Sequence, residues 1–255
     1  MSNSNAATTD PDPQDASQPL DQRGDNRSHR PSGKAFREFM ASNWGERPAP
    51  PLGSTGAADF LPARHAAIGA QFAGQRLVVP AGSLKTRSND TDYRFRAHSA
   101  FAHLTGLGAE LEPDAVLVLD PLPEGDADSG AGEADHEPVL YFTPRSSRSS
   151  EEFYADPRYG EFWVGARPTL QEMEAATGVR CAPIDTLADA LAKDVGPGQV
   201  QLRVVRGVDQ KTDALVAQVR EQAGVADNEV AATEDAALAE ALSELRLRKD
   251  PFEVQ

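Results

Sequence analysis

Branched and aliphatic residues fall in two kinds of pattern along this chain. Arg76-Leu-Val-Val-Pro-Ala-Gly82 and Ala115-Val-Leu-Val-Leu-Asp120 place them at consecutive positions. Such runs suit strands covered on both faces, and the first ends naturally at Pro80. Pro138-Val-Leu-Tyr-Phe-Thr143 predicts a further strand. Between it and the preceding strand lies Asp120 to Glu137, rich in Pro, Gly, Asp and Glu and without Lys or Arg. That composition marks a solvated hairpin insertion and so predicts antiparallel pairing of its two flanks. Val179 to Ile184 predicts an edge strand and Val200 to Val205 another.

Helical spacing fills the intervals. From Lys34, Phe36, Phe39 and Met40 share a face that ends near Gly45, and Leu61, Ile68 and Phe72 do so within Asp59 to Ala73. Phe101, Leu104 and Leu107 form a short apolar pattern with Gly106 in a stop position. Further helices are predicted over Thr169 to Thr177 with Gly178 as its stop, Asp185 to Lys193, and Asp209 to Gln222 with Asp209 as cap. The strongest is Thr233 to Lys249: Leu238, Leu242 and Leu245 line one face. Glu234 and Asp235 sit early and Arg246, Arg248 and Lys249 late, complementing the helix dipole. Strand and helix alternate from residue 34 to 249, which predicts one α/β domain with a mixed β-sheet flanked by helices. Residues 1–33 have no aromatic and only Leu20 as a large aliphatic. They cannot bury enough apolar area to offset chain ordering and are expected to form a disordered tail.

Composition narrows the function. A net charge of -15, with a pI near 4.7, argues against nucleic acid or an anionic membrane as partner, because phosphate binding needs a basic face. No apolar run approaches the roughly 20 residues needed to span a bilayer, and the N-terminus has no cationic start followed by an apolar stretch. A cytoplasmic location is the expectation.

Candidate chemistry is sparse. The five histidines are His29, His65, His98, His103 and His136, and no pair has the i, i+4 spacing that sets two imidazoles on one helical face for zinc. His29 and His136 are expected to be exposed and unliganded, and His65 a satisfied helix residue. Cys181 is the only cysteine, so there is neither an internal disulfide nor a thiolate cluster, and a buried inert thiol is expected. Asp126-Ala-Asp128-Ser-Gly130 hints at a calcium loop, but Gly130 stands at position five, where a ligand belongs, and Ala131 at position six, where the sharp turn needs glycine. There is no Gly-x-Gly-x-x-Gly and no Gly-Lys-Ser/Thr phosphate cradle.

The most informative stretch is Asp90-Thr-Asp-Tyr-Arg-Phe-Arg96, where Asp90, Asp92, Arg94 and Arg96 alternate with Tyr93 and Phe95. With Arg87 before it, and Ser99, Phe101, Thr105 and Gly106 after it, the segment resembles the N-terminal domain of the Xaa-Pro aminopeptidases (aminopeptidase P) of the creatinase–prolidase group. Trp163-Val-Gly-Ala-Arg167 and Glu244-Leu-Arg-Leu-Arg-Lys-Asp-Pro-Phe-Glu253 extend the resemblance, which covers Phe36 to Gln255. It implies the mixed-sheet fold of that domain.

The resemblance also implies a role. In the family this domain packs against a metal-binding catalytic domain and against neighbouring subunits, and a loop of one subunit can border another's substrate channel. The implied parent removes the N-terminal residue preceding proline, using two ions (usually manganese) held by Asp, Asp, His, Glu and Glu. None of those ligands can be assigned here. Asp250-Pro251-Phe252-Glu253 has a helix-opening signature, with Asp as cap, Pro first and Glu third. Residues 250–255 are therefore expected to begin the catalytic domain, which would follow Gln255. The expected partners are that domain, further copies of the chain, and peptides with proline at position two. The alternative is a stand-alone or pseudoenzyme interaction domain without peptidase activity.

Five residues are candidates for the channel or interface: Tyr93, Arg96, His103, Trp163 and Arg167. The charged residues of the Asp90–Arg96 loop either satisfy one another, with Tyr93 and Phe95 as anchors, or border a channel. His103 either replaces an aromatic that family members often carry near this point, where Ala102 departs from the pattern, or is a partly buried helix residue. Trp163 and Arg167 are four apart, so a helical turn would stack guanidinium near indole. That pair is either a shielded surface aromatic or part of an interface or peptide-carboxylate site.

Overall fold

The computed structural model describes residues 33–50, 52, 56–89, 91–109, 111–122 and 136–254. Asp90, most of the acidic insertion and the N-terminal tail lie outside them. The described residues form two compact units, one built from 33–49 with 145–167 and the other from 50–144 with 168–254.

The larger unit is organised by a five-stranded mixed sheet. Its strands are β1 (Gln75–Pro80), β4 (Val116–Pro121), β5 (His136–Phe142), β6 (Arg180–Pro183) and β7 (Gln201–Val204), in the order β6-β5-β4-β1-β7. β1 with β4 and β4 with β5 are antiparallel, and the two outer pairs are parallel. The predicted hairpin is present: Val118 faces Val139 and Asp120 faces Glu137. A two-stranded hairpin pairs β2 (Thr86–Ser88) with β3 (Thr91–Asp92), which lies within the charged segment.

Consecutive apolar residues serve opposite faces, because side chains alternate across a strand. Leu77, Val79, Leu117, Leu119, Leu140 and Phe142 join one buried cluster, which α2 (Leu61–Gly69), α3 (Ser99–Thr105), α6 (Leu170–Thr177) and α9 (Glu229–Leu245) cover. Val78, Val116, Val118, Val139 and Tyr141 join the other, under α7 (Leu187–Ala192) and α8 (Gln210–Gln222). Two-sided burial accounts for the continuous apolar runs.

Helix ends follow their caps. Thr169 and Glu172 form a reciprocal capping box on α6, Asp209 accepts from the amides of Lys211 and Thr212 on α8, and Gly106 and Gly178 close α3 and α6 in the left-handed conformation. The ends of two helices depart from expectation. α9 begins at Glu229, four residues before Thr233, because Asn228 Oδ1 accepts from the amides of Val230 and Ala231. Thr233 instead bonds back to the Glu229 carbonyl, as a mid-helix threonine does. The helix also stops at Leu245, so Arg248 and Lys249 lie past its end, while Arg246 reaches back to the Leu242 carbonyl at 2.8 Å. In the second case, Asp59 to Ala73 is a single-turn 3₁₀ segment (Ala58–Phe60) leading into a shorter α2.

The smaller unit holds α1 (Lys34–Ala41), α4 (Glu152–Ala155) and α5 (Glu161–Val164). It is held by edge-to-face aromatic contacts: Phe36 on Tyr154, Trp44 on Phe153 and Phe162, and Phe162 on Trp163.

Candidate functional site

The residues singled out from sequence divide between the units. Tyr93, Arg96 and His103 lie on the larger one, Trp163 and Arg167 on the smaller one.

In the charged loop, Phe95 is buried and Tyr93 is 58% exposed, so only Phe95 anchors it. Arg96 is exposed, and its backbone forms an isolated antiparallel bridge with Ala109. The loop therefore presents a phenol and a guanidinium to solvent, with Phe95 buried beneath it and its backbone paired at β3, Tyr93 and Arg96.

His103 belongs to a polar cluster between α2, α3 and the turn at 250–254. A helix leaves its last carbonyls without internal partners. Here α2 supplies the missing donors to α3: Arg64 Nη1 donates to the His103 carbonyl at 2.5 Å, and His65 Nε2 to the Leu104 carbonyl at 2.6 Å. A guanidinium at this end also complements the helix dipole. The rest of Arg64 turns to Asp250, whose Oδ2 accepts from Nε at 2.8 Å and Nη2 at 2.5 Å. His103 Nδ1 donates to Glu253 Oε1 at 2.9 Å, leaving a buried Nε2 without a hydrogen-bond partner.

Burial pushes the His65 pKa down to about 4, against the hydrogen bond to Leu104, with Arg64 and His103 adding to the depression. Burial also lowers His103, outweighing its hydrogen bond to Glu253, and lowers His98, beside Arg246. All three imidazoles are thus neutral near pH 7, and the His103–Glu253 contact is a hydrogen bond to a carboxylate rather than an ion pair. His65 and His103 are both buried residues of helices, whereas His136, expected to be exposed, is buried at the start of β5 and donates its Nε2 to the Gln75 carbonyl at 2.7 Å. Asp250 is lowered too, which for a carboxyl favours the charged form: burial opposes its charge, but the Arg64 hydrogen bonds prevail and keep its carboxyl below the usual range.

The Trp163–Arg167 stack does not form. α5 ends at Val164, and Gly165, with φ +84°, takes the chain out of the helix before Arg167 can come round beneath the indole. Arg167 is buried and lies over the Tyr159 ring at 4.9 Å, with its amide on Glu161 Oε1. Trp163 is 60% exposed and donates its Nε1 to the Tyr154 carbonyl at 2.7 Å. With Phe162 and Trp44 it forms a continuous exposed aromatic surface. Arg148 covers Trp44 from one side, and Arg47 pairs with Glu161 at 3.2 Å.

No acid–base or nucleophilic constellation accompanies these groups among the described residues. Burial pushes the Cys181 thiol up to about 12, so it is no nucleophile at neutral pH. Among the described residues no three His, Cys, Asp or Glu side chains converge on a point where they could hold a metal, so these residues do not fit a dinuclear centre. A cavity of about 290 Å³ lies between the Gly196–Gly198 turn, the start of β7 and the first turn of α9. Its charged groups are already paired, Arg203 with Glu234 and Arg220 with Asp235. No helix among the described residues is long and apolar enough to cross a membrane.

Sequence reasoning found the capping signature at Asp250 but not its partner, because nothing in the local pattern marks Arg64 as facing a residue 186 positions away.

Comparison with known proteins agrees with the fold. Residues 62–202 match the family model described as aminopeptidase P, N-terminal domain. The chain belongs to that family. Over 242 residues it is 38% identical to Xaa-Pro aminopeptidase 1 of Streptomyces coelicolor, covering 95% of this chain and 43% of that relative. Xaa-Pro aminopeptidase 2 of the same organism is 37% identical over 216 residues, 85% of this chain and 40% of that one. The chain thus spans less than half the length of these relatives. Among solved structures, proline aminopeptidase P II from Yersinia pestis aligns with a TM-score of 0.49 at 24% identity, over 65% of this chain and 33% of that one. The low-pH form of Escherichia coli aminopeptidase P aligns with a TM-score of 0.49 at 22% identity, over 66% of this chain and 33% of that one.

Proposed function

We propose that this chain is the N-terminal, non-catalytic part of a cytoplasmic, metal-dependent Xaa-Pro aminopeptidase that removes the N-terminal residue preceding proline. The observation that carries this reading is the 38% identity to an Xaa-Pro aminopeptidase across nearly the whole chain, where the relative continues for more than as much again. In this reading the remaining length supplies the catalytic domain. Its two metal ions, manganese by family resemblance, would provide the activated water and the carbonyl polarisation that amide hydrolysis at neutral pH requires. The part described here supports assembly of a homo-oligomer and borders the substrate channel.

The exposed surface of Trp44, Phe162 and Trp163 supports the assembly role, since clustered aromatics are the side chains that anchor protein interfaces. Tyr93 and Arg96, exposed on a loop with a fixed root, are the groups we assign to the channel border. Arg167 supports the fold of the smaller unit beneath this surface, and His103 acts within the larger unit.

The test uses the protein encoded by the whole reading frame. It should release the first residue from a Gly-Pro peptide and not from its Gly-Ala counterpart, lose that activity to a chelator, and regain it with Mn²⁺. Failure to hydrolyse any Xaa-Pro peptide under these conditions would refute the assignment.

A further inference from the structure

The capping box at the end of the described chain is used twice. Each of its two carboxylates divides its oxygens between a local and a distant task. Asp250 Oδ1 accepts from the Glu253 amide at 3.1 Å, as an N-cap does, while Oδ2 takes both donors of Arg64. Glu253 Oε2 accepts from the Asp250 amide at 3.4 Å, while Oε1 meets His103 Nδ1 at 2.9 Å. Pro251 stands between them in the position where a missing amide hydrogen costs nothing. A third contact is steric. A Cβ on Gly56 would lie 2.9 Å from Cε2 of the Phe252 ring, so the glycine allows that ring to lie against the backbone.

Arg64 does not depend on Asp250 for its orientation. Its Nη1 is held by the His103 carbonyl at the C-terminal end of α3, so the receiving site is formed by two packed helices. Only about 7% of the Arg64 side chain is exposed, and hydrogen bonds between such sheltered charged groups are stronger than exposed ones. By contrast, the residues just before the box are open: Leu247 is 80% exposed, and Arg248 and Lys249 are exposed.

We propose that residues 250–253 are a docking plug, a helix start whose own capping carboxylates fasten it to Arg64 and His103, so that the chain leaves the larger unit in a fixed direction. The consequence for a following domain rests on the function proposed above: that domain would inherit a rigid first turn, coupled through α3 to the loop that bears Arg96. Arg64 and His103 are then positioning residues.

Limited trypsin digestion of this 255-residue chain tests the plug, with cleavage after Arg248 and Lys249 as the readout. Asp250→Asn keeps an oxygen for the cap but turns an amide towards Arg64, and Gly56→Ala leaves every charge in place while crowding Phe252. The plug predicts that wild type resists cleavage at these two bonds and that each variant is cut there at least tenfold faster, with cutting elsewhere unchanged. Equal rates at these bonds in wild type and both variants would overturn it. No peptidase activity enters this readout, so a longer protein that fails to cleave Xaa-Pro peptides would remove the functional reading and leave the plug standing.

Discussion

His65 is held neutral by its surroundings, and that has a calculable effect. Its pKa is about 4 in the folded protein, against 6.5 for an ordinary histidine. The unfolded chain therefore takes up a proton between these values that the folded one refuses. A depressed imidazole adds stability above pH 6.5 and loses it as pH falls towards 4, by about 3 kcal/mol for a shift of this size. His103 and His98, also lowered, act with the same sign. Urea denaturation from pH 7 to pH 4 should show this decline, and His65→Gln should flatten it; an unchanged slope would remove His65 as its source. Asp235 is a buried hydrogen-bond acceptor with a large expected effect. It is 1% exposed and accepts from both terminal nitrogens of Arg220 at 2.8 and 2.9 Å, from Arg206 Nε at 2.6 Å and from the Val204 amide at 3.0 Å. Asp235→Ala leaves Arg220 buried without that partner, and the expected cost is about 3–5 kcal/mol in chemical denaturation. A loss within a few tenths of a kcal/mol would show that solvent reaches this group.

At the scale of elements, the smaller unit has its own reporter, because Trp44 and Trp163 are the only two tryptophans and both belong to it. Gly160 is the tightest point of that unit. A Cβ there would lie 2.5 to 2.7 Å from the carbonyl oxygens of Asp156, Glu152 and Phe153, none of which can move without breaking the turn. Gly160→Ala should lower the fluorescence-detected midpoint by several degrees. The far-ultraviolet signal, dominated by the larger unit's sheet and long helices, should change much less; coincident loss of both signals would mean that the two units unfold together. The sheet was the most legible part of the fold from sequence. Two-sided burial writes itself as consecutive apolar residues, and Asp209 and Gly178 mark their helix ends with local chemistry. Less was legible where two local signals competed, as at Asn228 and Thr233 for the start of α9, or where one glycine decided the geometry, as Gly165 does between Trp163 and Arg167. The pairing of Arg64 with Asp250 is a tertiary fact, and no local window contains it.

For the whole molecule, family membership fixes the expected context, and no metal-holding cluster occurs among the described residues. A double substitution of the aromatic surface, Phe162→Ser with Trp163→Ser, should shift the whole-frame protein to a smaller species in size-exclusion chromatography if that surface joins subunits. No shift would assign assembly to other residues. The central claim is that the hydrolytic chemistry resides outside these 255 residues. It is tested most directly by incubating the purified chain with a Gly-Pro peptide and added Mn²⁺ and following release of free glycine. No release above the enzyme-free rate is expected, whereas sustained turnover that tracks the purified chain would place the hydrolytic chemistry within these residues.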